Sequence, residues 1–276
     1  MRQLNIQSEI TLNNGIKIPI LGLGTYLADS GGEAKKAVLK ALEIGYRHID
    51  TAMMYNNETD IGTAIKESGI PREEIFLTSK LWNSDHGFDR SLNAFQSSLD
   101  RLQVDYLDLY LIHWPVPELR LDSWRAMESL YAEGKCRTIG VSNYMRRHLE
   151  ELLEVCDTVP MVNQVEFSPY LYLHDLLRFC RDQDIQLESY SPLTKGRMLN
   201  DPAIKAVAKK YERTTAQILI RWVLQHEVVV IPKSSNADRI YENSDVFDFS
   251  ISDNDMELLN SFHKGLHTSW DPSTVP

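Results

Sequence analysis

The chain alternates short strand-like segments with helical patterns, and most of the strand-like segments end in a polar or ionisable side chain. Parallel strands that alternate with helices close into a (β/α)8 barrel, whose active sites lie at the carboxyl ends of the strands. The pattern therefore predicts one face of a TIM barrel on which catalytic types of side chain converge. Seven segments contribute to that face, ending in Asp50, Lys80, His113, Ser142 with Asn143, Gln164, Tyr190 and Lys233.

The length of the chain fits one barrel rather than two domains. It has 276 residues, close to the ~250 that are typical of eight strand–helix units. No linker rich in Pro, Gly or Ser divides it, so we expect residues 1–276 to form a single barrel domain. Its net charge of -10, without blocks of like charge, argues against nucleic acid as a partner.

Neither a signal segment nor a membrane anchor is indicated by the sequence. No apolar run approaches the ~20 residues that a membrane span requires. The three cysteines, Cys136, Cys156 and Cys180, are far apart and lack the spacing of a metal site. Buried reduced thiols are the simplest interpretation, and they favour a cytoplasmic location.

The repeating units are preceded by a hairpin and followed by an aperiodic tail. Residues 10–19 alternate around Asn14-Gly15, a strong two-residue turn signal, and the hairpin is expected to plug the amino-terminal end of the barrel. Residues 20–25 then form the first barrel strand, and residues 265–276 form a loop that could lie across the barrel mouth. Ten helices are predicted, two more than the barrel needs, over residues 33–43, 58–68, 88–102, 122–133, 146–155, 173–183, 202–211, 215–225, 237–243 and 253–263.

One glycine pair could be mistaken for a dinucleotide fingerprint. Gly22 and Gly24 have the first spacing of that motif, but the third glycine it requires is replaced by Leu27. A doubly wound dinucleotide-binding fold is therefore not supported.

Four residues at or just after three strand ends suit carbonyl reduction. A carbonyl that accepts a hydride becomes an alkoxide, so a proton donor must face its oxygen, and Tyr55 can be that donor. Because a phenol has a pKa of ~10, we expect the ammonium of Lys80 to lower it, with Asp50 holding Lys80 and His113 polarising the carbonyl. Each residue alone also fits a structural role, such as a helix cap, a packed turn or a solvent-facing lysine. Four at successive strand ends favour catalysis.

Several long segments agree with one family. They resemble the signatures of aldo-keto reductases, and the resemblance runs in order from about Ile10 to Asn243. The small bacterial or protozoan members, similar to 2,5-diketogluconate or glyoxal reductases and to prostaglandin F synthases, are the nearest type. The resemblance implies a barrel that uses a nicotinamide cofactor without a metal, with Asp50, Tyr55, Lys80 and His113 as the catalytic tetrad. The matching segments are residues 45–58, Gly62, residues 107–115, residues 140–143 and residues 231–234.

Cofactor residues also carry over from the family. Lys233, Ser234 and Arg239 match the 2′-phosphate clamp, and two cations there favour NADP over NAD. Without the family, a Lys, a Ser and an Arg beside a helix start already form a reasonable phosphate site, although a serine cap with solvated basic residues is the alternative. The resemblance also implies that Gly24, Thr25 and Asp50 contact the cofactor. The remaining implied contacts are Ser142, Asn143 and Gln164 for the carboxamide, Tyr190 stacked on the nicotinamide ring, Ser191 and Leu193 at the pyrophosphate, and Glu242 and Asn243 at the adenine.

The substrate is less specified than the chemistry. Tyr26, Trp82 and Trp114, together with Tyr55 and His113, fall on family positions that wall the substrate, and aromatic walls suit an aldehyde or ketone on apolar carbon. We expect a monomeric NADPH-dependent reductase of small aldehydes, ketones and dicarbonyls such as methylglyoxal. Two rivals are an NADPH-binding sensor with negligible turnover and a purely structural barrel. The complete tetrad counts against the sensor.

Overall fold

The computed structural model describes residues 4–276, which form ten strands and ten α-helices. The strands are β1 Glu9–Thr11, β2 Lys17–Pro19, β3 Leu23–Gly24, β4 His48–Asp50, β5 Phe76–Leu81, β6 Leu107–Ile112, β7 Cys136–Ser142, β8 Val162–Glu166, β9 Gln186–Tyr190 and β10 Val229–Ile231. The helices are α1 Glu33–Ile44, α2 Glu58–Ser68, α3 Phe88–Leu102, α4 Arg120–Ala132, α5 Arg146–Leu153, α6 His174–Asp182, α7 Pro202–Lys210, α8 Thr215–Gln225, α9 Ala237–Ser244 and α10 Asp253–Asn260.

Strands β3 to β10 form the predicted barrel. They pair in parallel and in chain order, and the first strand meets the last through bridges between Leu21 and Val230 and between Gly24 and Lys233. The backbone N–H of Gly22 donates to the carbonyl of Val230 at 2.9 Å. Regular pairing of the first strand covers only Leu23–Gly24, so it is shorter than predicted.

The glycines of the first strand serve barrel closure. A Cβ built on Gly22 would lie 2.7 Å from the ring of His48, and one on Gly24 would lie 2.9 Å from the carbonyl oxygen of Ile231. Both positions exclude a side chain because the neighbouring strands approach so closely. The two glycines therefore allow the neighbouring strands of the barrel to approach closely.

The hairpin of β1 and β2 covers the amino-terminal end of the barrel, as predicted, but its turn differs. Leu12 N–H donates to the Ile16 carbonyl at 2.8 Å, which leaves a three-residue loop that ends in Gly15 at φ 84°. The amide of Asn13 donates to the Pro160 and Asp184 carbonyls, at 3.2 and 3.1 Å. These contacts at the strand starts favour the longer loop over a two-residue turn.

All ten predicted helices are present, with ends that differ by up to three residues. Helix α7 is additional between β9 and β10, and α10 is additional after α9, so both extra helices are confirmed. Within residues 4–276, no helix is both long and apolar enough to cross a membrane. The three cysteines are free thiols, and Cys136 and Cys180 are buried.

Candidate active site

A buried ion pair lies at the carboxyl end of the barrel. Lys80, near the end of β5, is fully buried, and its Nζ donates to the two carboxylate oxygens of Asp50 at 2.7 and 2.8 Å. It also donates to the Thr51 carbonyl at 2.9 Å and to the Tyr55 hydroxyl at 3.4 Å. Register explains the contact, because β4 and β5 are adjacent parallel strands whose ends meet at one edge.

Tyr55 ends a short 3₁₀ helix, Met53–Tyr55, that follows β4. Its ring lies between two other rings, with centroids 5.0 Å from Tyr26 and 5.8 Å from His113. The predicted lowering of its pKa is wrong. Burial, together with the Asp50 carboxylate, raises the pKa of Tyr55 well above 10. Asp50 lies at hydrogen-bonding distance from Lys80, so the negative charge of its carboxylate offsets the effect of the ammonium on the pKa of the phenol.

His113 directly follows β6 and faces the same space. Burial, followed by the positive charge of Lys80, holds the pKa of His113 well below 6.5, so the imidazole is neutral. Its Nδ1 has no hydrogen-bond partner among the described residues. A neutral ring at this place can donate one hydrogen bond to a carbonyl oxygen without acting as a strong acid.

These groups open onto a cavity of about 950 Å³ at the barrel mouth. Two predicted residues do not line it. Lys80 lies just beneath its wall, and Thr25 is buried with its hydroxyl donating to the Asp50 carbonyl at 2.9 Å. The predicted residues that do line it are Gly24, Tyr26, Asp50, Tyr55, Trp82, His113, Trp114, Ser142, Asn143, Gln164, Tyr190, Ser191, Leu193, Lys233, Ser234, Arg239, Glu242 and Asn243.

The amide-rich part of the cavity is held by side chains from three strand ends. Asn143, at φ 63°, donates from Nδ2 to the His113 carbonyl at 3.0 Å, and its Oδ1 accepts the Tyr190 hydroxyl at 2.8 Å. The Ser142 hydroxyl donates to the Gln164 carbonyl at 2.8 Å. This arrangement offers fixed donors and acceptors beside an aromatic ring, which is what a nicotinamide carboxamide needs.

The other end of the cavity surrounds the start of α9. Asn236 caps this helix, with its Oδ1 accepting the Arg239 N–H at 3.0 Å. Lys233 and Ser234 precede the cap, and Arg239 is exposed on the first turn. Two cations, a hydroxyl and a helix amino terminus therefore face the same space, as an anionic group requires.

The tail lies at the barrel mouth, as the sequence suggested, but the contribution of Trp270 to the cavity wall was not predicted. Trp270 lies 5.5 Å from Trp114 and 6.5 Å from Trp82 between ring centroids, which extends the aromatic wall. Lys195 also reaches the cavity, with Nζ 5.5 Å above the Tyr26 ring. A lone tryptophan in a tail without periodicity was the available signal. Among residues 4–276, no group of three or more His, Cys, Asp or Glu side chains is arranged to hold a metal ion.

Comparison with known proteins agrees with this geometry. The model of the Aldo/keto reductase family matches residues 20–264. The chain belongs to the aldo/keto reductase family. It is therefore an oxidoreductase that acts on carbonyl and alcohol groups. The family resemblance seen in the sequence is confirmed.

Three aldo/keto reductases illustrate the similarity. The glyoxal reductase of Bacillus subtilis (strain 168) is 49% identical over 271 residues, which are 98% of each chain. An aldo-keto reductase from a Medee basin deep-sea metagenome library is 46% identical with a TM-score of 0.94, over 98% of this chain and 100% of that chain. The Bombyx mori aldo-keto reductase in complex with NADP is 36% identical with a TM-score of 0.91, over 98% of this chain and 97% of that chain.

Proposed function

We propose that the protein reduces small aldehydes, ketones and dicarbonyls such as methylglyoxal with NADPH. The proposal rests on one observation. The Tyr55 hydroxyl, the Lys80–Asp50 pair and His113 lie together beside one cavity. The far end of that cavity carries Lys233 and Arg239.

The cofactor, when bound, supplies a hydride to the carbonyl carbon. The residues of the chain bind the substrate, orient it and protonate its oxygen. His113, as a neutral donor, orients and polarises the carbonyl oxygen. Tyr55 then gives its proton to the alkoxide oxygen. An alkoxide is a stronger base than a phenolate, so a phenol with a raised pKa still donates. Asp50 fixes the Lys80 ammonium 3.4 Å from that phenol oxygen, where it stabilises the developing phenolate.

NADPH is proposed over NADH because of the charges at the start of α9. A 2′-phosphate would lie between Lys233 and Arg239, with the Ser234 hydroxyl as a further donor. The Bombyx mori relative, in complex with NADP, supports the same choice.

The substrate class follows from the wall of the cavity. Tyr26, Trp82, Trp114 and Trp270 offer apolar surface near the Tyr55 hydroxyl, which suits a small carbonyl compound. The glyoxal reductase relative supports a dicarbonyl. We further propose that the protein acts as a monomer in the cytoplasm.

The test is turnover of NADPH with methylglyoxal, glyoxal and an aromatic aldehyde, followed at the nicotinamide absorbance. Tyr55→Phe removes one oxygen and leaves the ring to pack, so we expect reduction to fall by the ~10²–10⁴-fold typical of a lost general acid. NADPH affinity, read from tryptophan fluorescence, should stay near the wild-type value. A variant that keeps most of its activity would show that another group donates the proton. Tight NADPH binding without reduction of any carbonyl would favour the sensor instead.

A further inference from the structure

A second buried carboxyl group lies beneath the tetrad, and the mechanism above does not use it. Glu188, in β9, is fully buried in the barrel interior two residues before Tyr190. Its Oε2 accepts from the Gln164 amide at 3.1 Å, and the same nitrogen donates to Asp50 at 2.8 Å. One amide group therefore joins Glu188 to the carboxylate that holds Lys80.

The remaining oxygen of Glu188 faces a buried histidine. Nε2 of His48 lies 3.5 Å from Oε1 of Glu188 and 3.2 Å from the hydroxyl of Thr78. Oε1 of Glu188 has no hydrogen-bond partner among the described residues. The two side chains lie close together with 0% exposure.

The balance of buried charges shows how many protons Glu188 and His48 hold between them. Asp50 and Lys80 neutralise each other at 2.7 Å. An ionised Glu188 beside a neutral His48 would leave one buried charge without a partner, which is costly. One proton on the pair removes that charge. Burial and the nearby Asp50 raise the pKa of Glu188 to about 8, whereas burial lowers the pKa of His48 to about 3, so at neutral pH the carboxyl holds the proton.

The polar and charged groups that face Glu188 come from the adjacent strand β8 and, across the barrel interior, from β4 and β5. Strand β4 contributes Asp50 and His48, β5 contributes Lys80, and β8 contributes Gln164. The adjacent strand β10 contains only valine and isoleucine. The negative charge of Glu188, once formed, disfavours the phenolate of Tyr55. Lys80, at 3.4 Å from the phenol oxygen, acts in the opposite direction.

We propose that Glu188 is a positioning residue for proton transfer: through the amide bridge of Gln164 to Asp50, its carboxylate opposes Lys80 and keeps the proton on Tyr55 in alkaline solution. This inference rests on the proposed role of Tyr55 as proton donor. Glu188 itself neither donates to nor touches the substrate. It loses a proton to solvent as the pH rises, and the charge that remains changes how readily the phenol ionises.

Glu188→Gln keeps the shape and amide contact but cannot acquire the charge. Alcohol oxidation, the reverse reaction, requires the Tyr55 phenolate. Its rate therefore reports the ionised fraction of Tyr55 even at pH values below the pKa of the phenol. At pH 6.5 the carboxyl of the wild type is protonated, and the phenol of the variant meets the same charges. At pH 9.5 Glu188 of the wild type is ionised, whereas the glutamine of the variant is neutral. The Tyr55 phenolate therefore forms more readily in the variant. We expect the ratio of variant to wild-type oxidation rates to rise severalfold between these pH values, because only the wild type acquires a negative charge that disfavours the phenolate.

Two further variants separate charge from packing. Glu188→Met is also neutral, and we expect the same rise in the ratio even if its absolute rate is low. Asp108→Asn changes a buried carboxyl group of β6 that pairs with Arg72 and Arg137 outside the cavity, and we expect its ratio to stay flat. A flat or falling ratio for both Glu188 variants would overturn the proposal, as would a rise in Asp108→Asn of equal size.

An infrared titration tests the inference without turnover. Wild-type protein should show the carbonyl stretch of a protonated carboxyl group that disappears around pH 8 and is missing in Glu188→Gln. Its absence from the wild type at pH 6.5 would overturn the proposal. If the band behaves as expected but the protein neither reduces a carbonyl nor oxidises an alcohol, the proposed function is wrong. The protonation of Glu188 at neutral pH is then still supported.

Discussion

The carboxylate of Glu166 accepts hydrogen bonds from both the backbone N–H and the hydroxyl of Thr268, which lies 102 residues further along the chain. Its second oxygen also accepts the Ser269 N–H at 3.2 Å. From the other side, Lys195 donates to the Thr268 carbonyl at 2.9 Å and to the Ser269 hydroxyl at 3.1 Å. A buried strand end and a loop lysine thus fix the tail so that Trp270 lies over the aromatic wall.

The first prediction concerns this attachment. Glu166→Ala removes several hydrogen bonds to a charged acceptor, each worth about 1.5–3 kcal/mol. Residues 268–270 should therefore detach from the barrel mouth without unfolding the barrel, while Arg120 and Arg147 still hold the last residues of the chain. We expect faster proteolysis after residue 264 and a KM for aromatic aldehydes raised at least tenfold, with NADPH affinity little changed.

Lys195→Ala is the partner variant and should have the same effect in weaker form, because its side chain is exposed and its ammonium donates to only one tail carbonyl and one tail hydroxyl. An unchanged KM in Glu166→Ala, with the tail cleaved, would show that Trp270 does not contact the substrate.

The second prediction concerns the choice of cofactor. Arg239 is exposed at the first turn of α9, so Arg239→Ala should leave the fold intact and remove one charged contact to a 2′-phosphate. NADPH affinity should fall ~10–100-fold, as the loss of about 1.5–3 kcal/mol implies, and NADH affinity should barely change. Lys40→Ala, which removes a partly exposed lysine on α1 that pairs with Glu43, is the control for lost surface charge. Equal losses for both cofactors would mean that Arg239 does not read the phosphate.

The barrel and much of the site could be predicted because both depend on local patterns. Strand and helix periods set the order of β4 to β10, and parallel pairing brings Asp50, Lys80 and His113 to one edge whatever the details of packing. The Asn14-Gly15 turn was assigned wrongly because the amide of Asn13 finds partners at Pro160 and Asp184, far away in sequence. That residues 1–276 form a single domain stays a prediction.

Other features depend on distances that a sequence does not contain. The tail is aperiodic, and its course is set by distant partners such as Glu166, Lys195 and Arg147. The pKa of Tyr55 was misjudged because the burial of the phenol, together with the Asp50 carboxylate that pairs with Lys80, outweighs the effect of the ammonium. Glu188 was missed altogether, because within a strand of mixed residues a carboxyl group gives no sign of being buried.

The third prediction concerns the pH dependence of reduction. Reduction needs Tyr55 with its proton, and the pKa of Tyr55 is raised well above 10, so the phenol stays protonated throughout the neutral range. The rate of reduction should therefore show no decline that depends on Tyr55 between pH 6 and 8, and alcohol oxidation should increase with pH. Rate profiles in both directions at saturating cofactor check this. A reduction rate that halves between pH 6 and 8 would indicate a lowered pKa instead.

The fourth prediction concerns stability in acid and rests on His86, which follows the 3₁₀ helix Asn83–Asp85. Its ring is fully buried, neither nitrogen has a hydrogen-bond partner among the described residues, and burial lowers its pKa to about 4. Between about pH 6.5 and pH 4 the unfolded chain therefore binds a proton that the folded protein refuses, so stability falls as the pH falls through this window.

His86→Leu removes that proton uptake. Relative to its own value at pH 7.5, the free energy of unfolding of the wild type should fall about 2 kcal/mol further at pH 5 than that of the variant. Urea denaturation at both pH values measures the difference, and comparing each protein with itself cancels any change in packing. His174→Leu, the same substitution at a histidine half exposed on α6, should leave the pH dependence unaltered. If both variants follow the wild type at pH 5, then His86 takes up a proton in the folded protein and its burial does not limit acid stability.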